Sequence, residues 1–199
     1  MNNLNSKGFT LLEVLIAFII LAVGILAIVS LQASSKQNTH QAMQRSLAVS
    51  YAESIIERIR ANPTAINDYV AVGTVGSGTF SDQPQTCTDT FCTSLQIAEN
   101  DMRVLQDKLD GAAATLTIGG QTTNTTGLIE PRLCMEFTPR AGLANTGFLT
   151  VRVQWQGLAS ISDAVTTNGD NCNGGPAAGE DPFRRQIELN TYVIDETEL

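Results

Sequence analysis

Basic charge is scarce in this chain. Twelve Lys and Arg stand against twenty Asp and Glu, for a net charge of −8. That balance argues against nucleic-acid binding by the bulk of the protein. Histidine is nearly missing: His40 is the only one, no serine or cysteine has an obvious claim on it as a base, and it reads as a solvated residue. The four cysteines, Cys87, Cys92, Cys134 and Cys172, contain no C-x-x-C pair and lie far from His40, which leaves no ordinary zinc pattern. Asp163, Asp170, Asn171 and Asn173 could offer oxygen ligands to calcium, but they lack the spacing and terminal glutamate of a calcium loop. There is no Gly-rich phosphate loop and no nucleophile with a paired base. No enzyme activity, cofactor or metal is expected.

A long apolar run is present. Phe9–Leu31 spans 23 residues that are almost wholly apolar. As a helix it would be roughly 34 Å long, enough to cross a bilayer. A cleaved secretory signal has a shorter apolar core, of about 7–15 residues, and a small-residue cleavage site after it. Here Leu31 leads instead into Gln32-Ala33-Ser34-Ser35-Lys36. Lys7 ahead of the run favours a cytoplasmic N-terminus. The run carries one acid, Glu13. A carboxylate in hydrocarbon costs about 2.5–3.5 kcal/mol on insertion scales, so Glu13 needs a cation or a nearby interface. Gly24 permits close helix approach or a local softening of the helix.

Neither Pro nor Gly occurs from Gln32 to Arg60, so the helix is expected to continue to about Ala61, near 75 Å in all. Its second half becomes amphipathic. Met43, Leu47, Tyr51, Ile55 and Ile59 recur every four residues, flanked by Ala48, Ala52 and Ile56, with Gln44, Arg45, Glu53, Glu57, Arg58 and Arg60 opposite. Arg58 and Arg60 are expected to border the lower edge of the following domain. Asn62-Pro63 ends the helix.

Thr64–Cys92 reads as a long loop. Ser94 is expected to cap a second helix, Leu95–Asp110, with Ala98, Met102, Leu105 and Leu109 on one face and Gly111 ending it. Four strands follow: Thr115–Ile118, Leu133–Phe137, Phe148–Trp155 and Gln186–Ile194. In the third, Leu149, Val151, Val153 and Trp155 alternate onto the buried side; Trp155 reads as core. In the fourth, Ile187, Leu189, Thr191 and Val193 share a side. A Gly/Asn/Asp-rich loop, Ala159–Pro182, separates these two strands and contains Cys172. Asn124-Thr125-Thr126 is a formal glycosylation sequon that reads as a polar loop. Glu180 and Asp181 beside Arg184 and Arg185 read as a solvated charge cluster. The order gives an α+β domain with a roughly four-stranded antiparallel sheet against the amphipathic half of the long helix.

An even number of cysteines in a domain outside the cytoplasm suggests two disulfides. Three connectivities are open. Cys87–Cys92 with Cys134–Cys172 is favoured, because the first pair closes a short loop and the second ties a late loop to a strand.

Lys7-Gly8-Phe9-Thr10-Leu11-Leu12-Glu13-Val14 resembles the class III signal of type IV pilins and pseudopilins. Gly24-Ile25-Leu26, Leu31-Gln32 and Glu57-Arg58-Ile59-Arg60-Ala61-Asn62-Pro63 resemble, more narrowly, the minor pilin PilV family. The Cys87–Leu109 stretch and the strand ending in Trp155 fit that family more loosely. The resemblance implies the type IV pilin fold and the division 1–8 leader, 9–31 membrane and filament-core helix, 32–63 amphipathic helix, 64–199 head. It implies cleavage between Gly8 and Phe9 by a prepilin peptidase, N-methylation of Phe9, and pairing of Glu13 with the terminal amine of a neighbouring subunit. In the membrane-resident precursor, Glu13 is expected only to reach the cytoplasmic interface. Implied partners are other minor and major pilins and the pilus assembly platform. The implied location is the inner membrane, with the head periplasmic, and then the pilus. The function implied is pilus assembly or initiation. A type II secretion pseudopilin is the alternative within the class; a membrane-anchored adhesin or receptor is the alternative outside it.

Overall fold

The computed structural model describes residues 10–76, 79–80, 92–111, 115–124, 126–160, 172 and 182–199. The first element is one helix, α1 (Leu11–Ala61), 51 residues long, with the bounds expected. Thr10 opens it: the Glu13 amide donates to the Thr10 carbonyl at 3.1 Å and to Thr10 Oγ1 at 3.3 Å, satisfying one donor that the first turn leaves without a helical partner. At the other end the Asn62 amide donates back to the Arg58 and Ile59 carbonyls.

The chain divides into two compact units, one extending through His40 and one from Gln41 to Leu199. In the first, every residue from Thr10 to Lys36 is exposed.

In the second unit, α1 buries Gln44, Ala48, Ala52, Ile55, Ile56 and Ile59. The stripe is therefore rotated from the one expected. Met43 is 58% exposed while Gln44 is 3% exposed, and Leu47 and Tyr51 are half-buried. The reason lies in Ala48 and Ala52, both fully buried. Small side chains allow close approach, so they mark the line of tightest contact, and the larger residues beside them flank it.

Asn62-Pro63 is a start as well as a stop. Pro63 sits in the first turn of a 3-10 helix, Pro63–Ala65, which runs into α2 (Ile66–Ala71). The beginning of the expected loop is thus helical, because Pro tolerates a first turn and Ala65, Ile66 and Tyr69 are fully buried. Helix α3 (Ser94–Leu109) follows, with Thr93 rather than Ser94 as its cap. Gln96 N–H donates to Thr93 Oγ1 at 3.3 Å, and Thr93 N–H donates to Gln96 Oε1 at 2.9 Å, a reciprocal capping box. Ala98, Met102, Leu105 and Leu109 are its buried apolar residues, as expected. Gly111 ends it at φ +74°, where an added Cβ would lie 1.2 Å from the Thr126 carbonyl oxygen.

Among the described residues there are five strands in two sheets. Strands β3 (Arg132–Pro139), β4 (Gly147–Gln156) and β5 (Arg184–Val193) form an antiparallel sheet in that order. Strands β1 (Thr115–Ile118) and β2 (Gln121–Asn124) form a separate hairpin. The expected four-stranded grouping differs in this respect, because the first strand pairs locally with Gln-Thr-Thr-Asn, a segment with no apolar alternation. In β4, Leu149, Val151 and Val153 are fully buried and Trp155 is 4% exposed. They share one core with Ile55 and Ile59 of α1, Tyr69 of α2 and Met102 of α3. This is the α+β arrangement of a long N-terminal helix packed on an antiparallel sheet. Each fully buried Ile, Leu or Val side chain contributes about 1.5–3 kcal/mol. In β5, Ile187 and Leu189 pack half-buried against the core and Val193 is buried.

Candidate functional site

The candidate site is the start of α1. Gly8 and Phe9 lie outside the described residues. Thr10 and Glu13 stand at the N-cap and N3 positions, a T-x-x-E pattern, so Glu13 occupies the turn where the helix dipole favours a negative charge. Glu13 borders a shallow apolar surface made by Val14, Ala17, Phe18 and Leu21. Leu11–Ala61 is long and apolar enough over part of its length to cross a membrane. An added Cβ at Gly24 would meet nothing within 4 Å, so the surface there is open. The described apolar residues from Leu11 to Leu31 are all exposed. Removing such area from water is worth about 25 cal/mol per Å², and lipid or other apolar helices are the surfaces that supply it.

Ties at three places among the described residues bear on how the second unit is held together. Arg58 forms an ion pair with Asp101 of α3, and the Tyr69 hydroxyl of α2 donates to the other Asp101 oxygen at 2.6 Å. Asp101 is 7% exposed. Three helices meet at one carboxylate, and Arg58, expected only to border the domain, is tied into it. Burial pushes the Tyr69 hydroxyl far above its ordinary range, and the bonded Asp101 adds to this. Asp101 lies on the buried face of α3, between Ala98 and Met102. An acid on an apolar stripe is the sequence signal that marks it. Arg60 donates to Glu57 and to Thr191 Oγ1, each at 2.6 Å, linking α1 to β5.

The second tie is covalent: Cys134 of β3 and Cys172 are joined, with Cα atoms 5.2 Å apart. Cys92 is also disulfide-bonded; Cys87 lies outside the described residues. The third is at the C-terminus. Glu198 accepts the Ala144 and Asn145 amides at 2.8 and 2.9 Å, and the Asn145 side chain donates to Asp195 at 3.0 Å. The hydroxyl and amide of Thr197, then Asn145, hold the Asp195 carboxyl below its usual range. Asn190 and then Arg152 do the same for Glu188.

His40 is exposed on α1. The Asn124 side-chain amide donates to the Asp110 carbonyl at 2.8 Å, so the sequon asparagine holds the end of α3; Thr125 lies outside the described residues. Asp163, Asp170, Asn171, Asn173, Glu180 and Asp181 do too. Arg184 bonds the Glu130 carbonyl at 2.8 Å, and Arg185 bonds the Ala159 carbonyl at 2.7 Å. Both arginines stitch backbone, and the acids expected beside them, Glu180 and Asp181, are outside the described residues.

These features define a class: an α+β domain carried on a capped apolar N-terminal helix with an acid in its first turn. Two family models match this chain. The prokaryotic N-terminal methylation motif matches residues 3–29, and the family described as type IV pilin Tt1218 matches residues 30–103. Together they support a type IV pilin with a prepilin-type N-terminus, and the α+β arrangement is consistent with that fold. The methylation motif implies processing by a prepilin peptidase and incorporation into a pilus. No curated protein and no solved structure matches the chain.

Proposed function

We propose that this protein is a minor type IV pilin of the PilV kind, cleaved between Gly8 and Phe9, N-methylated at Phe9, and built into the pilus or its initiation complex. The observation that carries this reading is the pairing of a first-turn acid, Glu13, with an apolar helix exposed from Leu11 to Lys36. In the membrane the helix anchors the precursor with its N-terminus cytoplasmic and its head periplasmic. In a filament it packs against its neighbours. Cleavage supplies the cation that Glu13 lacks, because the new amino group of Phe9 is positively charged. A carboxylate in an apolar core is tolerable when it meets such a partner, and each pair then sets the axial register of a subunit. Other pilins, the prepilin peptidase and the assembly platform are its partners, and its role is assembly rather than catalysis.

Mass spectrometry of the protein from sheared filaments tests this. The expected mature N-terminus is methylated Phe9; an intact leader in filaments overturns the processing step. Glu13→Ala is expected to leave the precursor in the membrane and to lower its recovery in sheared filaments about tenfold or more, since losing an ion pair in an apolar core is worth more than 1.4 kcal/mol. Undiminished recovery overturns the register role.

A further inference from the structure

Residues 111–129 contain no charged side chain and no proline, in a chain where 16% of residues are charged. The β1–β2 hairpin lies inside that stretch. Its turn has φ +61° at Gly119 and +81° at Gly120, the two-residue turn in which both central residues take positive φ. The pair flanking such a turn, Ile118 and Gln121, exchanges both of its backbone hydrogen bonds. The next pair, Thr117 and Thr122, is therefore a non-hydrogen-bonded pair. The backbone N–H and C=O of Thr122 point away from β1. Among the described residues, no other strand lies beside β2. Proteins usually guard such an edge with a charge, a proline or a bulge. None of the first two stands anywhere from 111 to 129. Two strands alone are marginal in water, and Leu116 is 51% exposed, so its burial adds little.

We infer that the outer edge of β2, beside which no described strand lies, receives an extended, uncharged segment from the head of a different pilin in the filament, adding a third strand. The inference rests on the filament reading above. The edge itself defines its occupant: alternating backbone donors and acceptors are matched by another extended backbone. The absence of charge gives a nucleic acid or a lipid headgroup nothing to bind.

The test uses the full-length protein in piliated cells. A photo-crosslinking residue at position 122 is expected to capture the head of a different pilin in sheared filaments. Capture of a second copy of this chain, of lipid, or of nothing overturns the assignment. Thr122→Pro removes an outward N–H that the hairpin does not use, and Thr122→Lys places a charge on the edge without altering the backbone. Both are expected to lower recovery in filaments about tenfold, the weight of one or two backbone hydrogen bonds, with the Cys134–Cys172 link still formed on non-reducing peptide mapping. Recovery equal to the unsubstituted protein in both variants overturns the inference and leaves the pilin reading standing. Absence of the unsubstituted protein from filaments overturns both.

Discussion

Asp101 joins three helices of the second unit. It accepts from Tyr69 and pairs with Arg58, so its removal strands a buried hydroxyl and a partly buried guanidinium. Breaking a fully buried pair costs about 3–5 kcal/mol. The Arg58 side chain is 35% exposed, which reduces this to about 2–3 kcal/mol. Asp101→Ala is expected to lose that much in urea unfolding of the detergent-solubilised protein, and Tyr69→Phe about 1 kcal/mol. Equal, near-zero effects for both would deny the node. The depressed carboxyls of Glu188 and Asp195 set the pH response. Their stabilisation is full above the unfolded values near pH 4 and is lost as pH falls through the lower folded ones. The urea midpoint is therefore expected to be flat from about pH 5 to about pH 9 and to fall below about pH 4, with a weaker fall in Asp195→Asn; it falls again above about pH 10, where the unfolded chain ionises a Tyr69 that the fold keeps protonated. At this scale Glu13 is legible, as the one acid of an apolar run, whereas the capping role of Thr10 emerges only with the start of the helix. Asp101 is marked only as an acid on an apolar stripe; its partners are not legible, because they stand 32 and 43 residues away.

Helix α1 follows directly from the sequence between Leu11 and Ala61, because nothing within it breaks a helix and Asn62-Pro63 stops it. Helix α3 is legible to within one residue. The capping box selects Thr93 over Ser94 because Gln96 is three residues beyond Thr93 and reaches back to it. Thr93→Ala is expected to cost about 1 kcal/mol, whereas Ser94→Ala should cost a few tenths, read from thermal unfolding of the two variants side by side. A larger loss from Ser94→Ala would reassign the cap. The core strands β3, β4 and β5 are visible in their alternation, but β2 is not. Its four residues are Gln, Thr, Thr and Asn, and only the Gly119-Gly120 turn brings them beside β1.

Over the whole molecule, the Cys134–Cys172 bond spans a sequence separation of 38 residues. Closing a loop of that size is worth about 3–4 kcal/mol on the chain-entropy view. Cys172→Ser is expected to lower head stability by that order while leaving membrane insertion of the precursor unchanged; the two are separated by limited proteolysis and membrane fractionation. Loss of insertion would show that head and anchor do not fold separately. The anchor, its one acid and the helix that follows it were determined by the sequence alone, because a run of apolar residues and a helix period act over distances of a few residues. The rotation of the α1 stripe onto Ala48 and Ala52, the division of the strands into two sheets and the meeting of Arg58, Tyr69 and Asp101 were decided by tertiary structure. Each depends on which surfaces fit closely enough to exclude water, and that is a property of elements brought together from distant parts of the chain.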